Sequence, residues 1–221
     1  MHLDTLEQQR LERSAAPLGG VAKRSFDIGF AILAILAFSG VMLVVAVITK
    51  LCSPGPIFFV HERVGHGGRT FACLKFRTMV VDADERLKEH LRDNIAARRE
   101  FEADSKLKND PRIIPVVGKL LRSTSLDEVP QFFNVLVGHM SIVGPRPITR
   151  AELERYDTAK SDYLATRPGI TGLWQVSGRS NISFDRRVKI DATYVRHWSF
   201  RQDLEIVCKT PRAVMWRDGA C

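Results

Sequence analysis

Two adjacent carboxylates, Asp127 and Glu128, stand in the stretch Ser123-Thr124-Ser125-Leu126-Asp127-Glu128-Val129-Pro130-Gln131. Ser125 followed three residues later by Glu128 has the Ser-x-x-Glu spacing of a capping box and predicts a helix opening here. The apolar run Phe132, Phe133, Val135, Leu136, Val137 continues that helix until Gly138 stops it. At such a start the macrodipole favours an ionised carboxylate, and the free N–H groups suit a phosphate. An ionised Asp127 beside a phosphate is a candidate nucleophile for phosphoryl transfer. The plainer reading is that both acids only cap the helix, and the pair alone does not separate the two.

Other residues bear on that choice. Pro145 and Pro147 fix the backbone around Arg146, presenting its guanidinium as a pre-set clamp for phosphate oxygens, unless this is a surface turn with an incidental Arg. Arg167-Pro168-Gly169-Ile170-Thr171-Gly172 is a second Pro/Gly-fixed turn with an Arg. Lys75-Phe76-Arg77 places two cations on one face of a strand and Phe76 on the other. Asp82-Ala83-Asp84 matches the D-x-D metal pair of many nucleotide-sugar glycosyltransferases, although Asp at a helix start ordinarily caps. His61 and His66 read as loop residues without a metal-ligand partner. Cys52, Cys73, Cys208 and Cys221 have neither zinc nor C-x-x-C spacing and are expected to be reduced thiols.

These groups need elements to hold them. Ile57–Val60 and Thr70–Phe76 read as strands joined through Gly65-His66-Gly67-Gly68. Helices are expected at 82–105, with Leu87, Leu91 and Ile95 on one face, at 151–162 and at 185–196. Ile113–Leu121 is a short apolar segment, and Leu173–Val176 reads as a strand. Residues 198–216 read as two short helices divided by Pro211, mixing Leu204, Ile206, Val207 and Trp216 with Lys209, Arg212 and Arg217. Such a mixture suits an interfacial amphipathic helix as well as ordinary packing.

Ile28 to Ile48 carries no charge and is long enough, at about 30 Å of helix, to cross a bilayer. Arg10, Arg13, Lys23 and Arg24 precede it, and Lys50, Arg63, Arg69, Lys75 and Arg77 follow. The positive-inside rule places both flanks in the cytoplasm, which a single crossing cannot satisfy. A re-entrant helix bending near Ser39-Gly40 does satisfy it. The reading gives a polar N-terminal arm (1–22), a membrane anchor (23–52) and one catalytic domain (53–221). The expected fold class is α+β and helix-rich. With 221 residues and a formal charge of +8, the candidate partners are nucleic acid, an anionic membrane or phosphorylated small molecules. Three Tyr and no Lys/Arg–aromatic repeat weigh against nucleic acid.

In order, Lys23-Arg24-Ser25-Phe26-Asp27, Ser53-Pro54-Gly55-Pro56-Ile57-Phe58-Phe59, Lys75-Phe76-Arg77-Thr78-Met79, Asp110-Pro111-Arg112, Ser125–Gln131, Gly144-Pro145-Arg146-Pro147 and Arg167–Gly172 make a specific set. Together they resemble the short form of the bacterial sugar transferases, the monotopic polyprenyl-phosphate glycosyl-1-phosphate transferases, over residues 23–217. The resemblance implies a catalytic domain on the cytoplasmic face of the bacterial inner membrane. It implies transfer of a hexose-1-phosphate, galactose or glucose, from a UDP-sugar to undecaprenyl phosphate with release of UMP, initiating an exopolysaccharide or related glycan. Asp127 is then the nucleophile that forms a phosphosugar intermediate, and Glu128 handles a proton or organises the site. Mg²⁺ is the implied cofactor, with Asp127 and Glu128 as its ligands. Lys75, Arg122 and Arg146 fall at phosphate-binding positions, with Arg77, Arg112 and Arg167 as weaker matches. Membrane lipid and a second copy of the chain, as a homodimer, complete the candidate partners. Two departures stand out: Ser39-Gly40 where many members have Ser-Pro, and His139 where an acidic residue is usual. A metal-dependent glycosyltransferase using Asp82 and Asp84, or a non-catalytic scaffold binding anionic lipid, are the alternatives.

Overall fold

The computed structural model describes residues 16–104, 107, 109–178 and 182–215. Most of the expected N-terminal arm, Ser105, Trp216, Arg217 and Cys221 therefore lie outside the described residues. Helix α1 runs Gly20–Cys52 and carries Lys23, Arg24 and Asp27 on its first turns, ahead of the apolar run. Among the described residues it is the one helix long and apolar enough to cross a membrane. Leu33, Leu36, Leu43, Val44 and Leu51 are more than half exposed, a density of bare aliphatic surface that water does not tolerate and lipid does. Helical hydrogen bonding continues through Ser39-Gly40, and Ser39 Oγ donates to Leu36 O at 2.8 Å.

The chain divides into two compact units. One takes residues up to 39, 60–74 and those from 130 on; the other takes 40–59 and 75–129. The hairpin β1 (Phe58–Val64) and β2 (Thr70–Phe76) confirms the two expected strands and their Gly-rich connection, with His61 inside β1 rather than in a loop.

The first unit contains α5 (Gln131–Leu136), β3 (Ser141–Val143), α6 (Arg150–Glu154), α7 (Lys160–Leu164), β4 (Gly169–Thr171), α8 (Leu173–Ser177), α9 (Phe184–Arg196) and α10 (Phe200–Met215). β3 and β4 pair in parallel, Ser141 opposite Gly169 and Val143 opposite Thr171. Around them Phe71, Val135, Met140, Ile142, Val143, Tyr194 and Ile206 form a core. The start of α1 is fastened to this core by polar groups. Lys23 Nζ is ion-paired with the fully buried Asp203, which also accepts from Tyr194 Oη at 2.6 Å and Trp198 Nε1 at 3.0 Å. Asp27 accepts from Ser141 Oγ and Ile142 N at 3.0 Å each. Asn134 accepts from Leu74 N and donates to Ala72 O, satisfying the free edge of β2.

The second unit contains α2 (Ala83–Asp93), α3 (Ile95–Asp104) and α4 (Val117–Thr124). Val45, Phe76, Ile114, Val117 and Leu121 form its core, with Met42, Ile57 and Leu126 packed against it. Ile114 N donates to Thr78 O and Val80 N to Arg112 O, so residues 77–80 run beside 112–114. Gly118 sits against Thr78 O, where a Cβ has no room.

Several expected elements differ, each for a local reason. The helix at 82–105 breaks at Asn94, which is extended (φ −131, ψ 102) and whose Oδ1 caps α3 through Ala97 N. That break leaves Ile95 exposed instead of aligned with Leu87 and Leu91. The 151–162 helix is cut into α6 and α7 by Asp157, whose φ is +44. Residues 173–176 form a helix, α8, which turns Leu173 and Val176 onto the core, while β4 occupies the expected turn before it. Pro211 does not divide α10: the ring lies on an exposed face, and core packing of Ile206 and Val207 carries the helix through.

Replacing Asp203 by Leu strands the Lys23 charge in the core and is expected to cost about 3–5 kcal/mol in denaturant unfolding. The double substitution Lys23→Met with Asp203→Leu should recover most of that loss.

Candidate active site

Asp127 and Glu128 do not open a helix. Ser125 adopts the left-handed conformation (φ 59, ψ 17), ends α4 and makes no side-chain cap bond. Leu126–Glu128 is a single 3₁₀ turn, and α5 starts only at Gln131 after Pro130. The capping-box expectation fails because a left-handed Ser125 cannot turn its hydroxyl back onto the N–H groups ahead. The Thr-x-x-Glu pattern at Thr149–Glu152, which the sequence also carries, does form a full capping box.

The turn has a different electrostatic character from a helix N-terminus. Burial raises the pKa of Asp127 from the usual carboxylate range to about 6, and the neighbouring Glu128 charge pushes the same way. Lys75 and Arg122 oppose the rise. Lys75 Nζ lies 2.5 Å from Glu128 Oε1, both side chains about one-fifth to one-quarter exposed. Lys75 on β2 therefore meets Asp127 and Glu128 at their turn, so three sequence-predicted residues come together, with Arg122 exposed on the last turn of α4. The expectation that Asp127 is held ionised by a helix dipole is replaced by a partly desolvated carboxylate restrained by two cations.

The remaining cations have other occupations. Arg77 is buried, donating to Ser53 O and Pro54 O at 2.7 Å each, so it braces the chain where it leaves α1 and is not free to hold a substrate. Arg112 forms a two-pronged pair with Asp110, at 2.8 and 2.7 Å, and lies over the Phe101 ring. Asp110, named in the sequence only as part of Asp110-Pro111-Arg112, is thus the partner of Arg112. Asp82 is taken up by Arg86 at 2.9 Å, which leaves the D-x-D reading with a carboxylate already engaged.

Arg146 and Arg167 belong to the other unit. Arg146 is exposed on a turn pinned at both ends: Gly144 N donates to Thr171 O, Gly169 N to Pro145 O, and Ile148 N to the buried Tyr163 Oη. A Cβ at Gly169 would collide with Gly144 N, which is why the two Pro/Gly turns pack so closely. Arg167 Nε donates to Gly138 O at 2.8 Å.

No group of three or more His, Cys, Asp or Glu able to hold a metal exists among the described residues. Mg²⁺ bound beside a substrate needs only one or two carboxylates, with substrate phosphates and water completing its shell. Two adjacent, partly desolvated carboxylates fit that donor set.

A raised carboxyl pKa means that ionising Asp127 costs more in the folded chain than in the unfolded one. Stability is thus lost as pH climbs from about 4 through about 6. Asp127→Asn should melt higher than wild type at pH 7, by a few degrees at roughly 2–4 °C per kcal/mol for a chain of this size. The gain should vanish near pH 4, as thermal unfolding across pH in metal-free buffer would show.

The family model described as "Bacterial sugar transferase" matches residues 18–217. The chain is 50% identical over 204 residues to proteins named "Exopolysaccharide production protein ExoY" from Sinorhizobium fredii and Rhizobium meliloti, covering 92% of this chain and 90% of each. It is 49% identical over 199 residues to the "Undecaprenyl-phosphate galactose phosphotransferase" of Salmonella typhimurium, covering 90% of this chain and 41% of that longer protein. The chain belongs to the bacterial sugar transferase family.

Proposed function

We propose that this chain moves a hexose-1-phosphate, galactose first among candidates, from a UDP-sugar to undecaprenyl phosphate at the cytoplasmic face of the inner membrane. The observation that carries the reading is Asp127: a partly desolvated carboxylate on a tight turn, beside the Lys75–Glu128 pair and under the charge of Arg122. The names of the Salmonella relative and of the "UDP-galactose-lipid carrier transferase" of Erwinia amylovora support the substrates. The ExoY relatives support a place in exopolysaccharide production.

In the first step an Asp127 carboxylate oxygen bonds to the sugar-linked phosphorus, and the bond from that phosphorus to the bridging oxygen breaks. UMP leaves with that oxygen. In the second step a phosphate oxygen of undecaprenyl phosphate bonds to the same phosphorus and the Asp127–phosphorus bond breaks, giving undecaprenyl diphosphosugar. Two displacements let donor and acceptor visit in turn. A low dielectric strengthens the attraction of Lys75 and Arg122 for the negative charge that the transition state spreads over phosphate oxygens. Mg²⁺ held by Asp127 and Glu128 would offset further charge on the diphosphate. Arg146, exposed on its pinned turn, is a further phosphate-binding candidate, whereas Arg77 and Arg112 act through the backbone and Asp110.

The re-entrant anchor belongs to this reading. It keeps the basic residues flanking the apolar run on one side; because α1 is unbroken at Ser39-Gly40, the bend there would be a kink within a continuous helix and not the expected break.

Two measurements test it. With UDP-galactose, undecaprenyl phosphate and Mg²⁺, wild type should release UMP and not UDP, and Asp127→Asn should lose on the order of 10³-fold or more in rate. UDP release, or an active Asn variant, contradicts the reading. A cysteine introduced at Ser25 and the native, exposed Cys52 should both react with an impermeant thiol reagent from the cytoplasmic side. Labelling from opposite sides would make α1 a spanning helix.

A further inference from the structure

Lys23 and Arg24 stand side by side at the start of α1, yet only one of them is neutralised. Lys23 is paired with Asp203. Arg24 donates instead to two backbone carbonyls at the end of α5, Val135 O at 2.6 Å and Leu136 O at 2.8 Å. Arg167 Nε donates to Gly138 O, two residues further along the same turn. Arg24 also lies within 3.7 Å of where a Gly138 side chain would begin. Two half-buried guanidinium groups thus converge on one helix end, and among the described residues neither forms an ion pair with a carboxylate. Burial, and after it the Arg24 charge, pull the pKa of Arg167 below its usual value. Asp27 lies near enough to favour the Arg167 charge: its Oδ1 accepts from Ser141 and Ile142, its buried Oδ2 accepts no hydrogen bond among the described residues, and it faces two guanidinium groups, not one.

Carbonyl dipoles satisfy donors without cancelling charge. The three bonds use three of the ten N–H donors that two guanidinium groups carry, leaving donors to spare and a positive charge that one nearby carboxylate, Asp27, offsets only in part. Position then selects the anion. Arg24 precedes Ile28, the first residue of the uncharged run, by four residues, or about 6 Å of helix. The headgroup zone on each side of the hydrocarbon is roughly 5–8 Å thick. We propose that Arg24 and Arg167 together hold the phosphate of an anionic bilayer lipid at the end of α5. The lipid supplies the counter-charge that Asp27 alone leaves incomplete, and it ties α5 and the Arg167 turn to the membrane surface through fork-shaped contacts. The inference rests on α1 lying in a bilayer and not on the chemistry of Asp127.

The test uses the full chain reconstituted in phosphatidylglycerol vesicles, extracted into detergent, with retained lipid counted by mass spectrometry. Wild type should keep about one phosphatidylglycerol per chain, and Arg24→Gln with Arg167→Gln about tenfold less. Arg186→Gln with Arg201→Gln, which removes the same charge from exposed positions of the same unit, should keep the wild-type amount. Equal retention by the first pair and wild type, or equal loss by the second pair, overturns the site. If inorganic phosphate raises the melting temperature of the lipid-free chain as much as phosphatidylglycerol does, the ligand is free phosphate and the lipid assignment falls. Should the Gln pair not fold, wild type still answers: ¹⁵N-guanidinium signals of Arg24 and Arg167 should couple to lipid ³¹P in phosphatidylglycerol bilayers, and absent coupling overturns the proposal. A chain that sediments with no vesicle would fail earlier, at the membrane placement itself.

Discussion

A carboxylate that is to bond with phosphorus faces a charge conflict: it must stay anionic to attack, and everything it attacks is anionic too. Water would screen the repulsion but would also solvate the nucleophile. At Asp127 partial burial has removed some of that solvation and pushed the acid towards neutrality, to about pH 6, while Lys75 and Arg122 pull it back. The group is therefore ionised at neutral pH with little margin. A change in the positive charge of Lys75 or Arg122 would shift how readily it ionises.

Local contacts hold that turn in place. A left-handed Ser125 closes α4 and lets a single 3₁₀ turn carry both acids before Pro130 opens α5. Glu128 is tied to Lys75 on β2, so one partner of the acid pair is held by a strand and the other by burial. Arg77, two residues beyond Lys75, is spent on the carbonyls of Ser53 and Pro54 and fixes the exit from the apolar helix. At the other end of α1, Lys23, Arg24 and Asp27 are spent on Asp203, the end of α5 and the backbone of β3. The charged residues flanking the apolar run thus act as fasteners.

How much of this could be read beforehand depended on whether the signal was local. The hairpin was legible because β-branched and aromatic residues flank a Gly-rich link, and the long apolar helix because an uncharged run of that length has a strong helical signature. Asp127, Glu128 and Lys75 were found by type and order, but their arrangement was not. The Ser-x-x-Glu spacing promised a helix start, and the chain reversed at Ser125 instead, so the pKa argument built on a helix dipole pointed the wrong way. Leu173–Val176 looked like a strand until packing on the core made it a helix, and Pro211 looked like a break until the same packing overrode it. Arg77 could not be told from a substrate ligand, because a buried Arg on carbonyls and an exposed Arg awaiting phosphate have the same letter. In each case the deciding partner is distant in sequence.

The account turns on a bond between Asp127 and phosphorus. Full-chain protein should be mixed with sugar-labelled UDP-galactose and Mg²⁺ without acceptor, quenched, digested and sequenced by mass spectrometry. The account predicts a phosphosugar on Asp127 that disappears when undecaprenyl phosphate is added before quenching. A chain that turns over fully with acceptor yet carries no label at Asp127 at any quench time would contradict it.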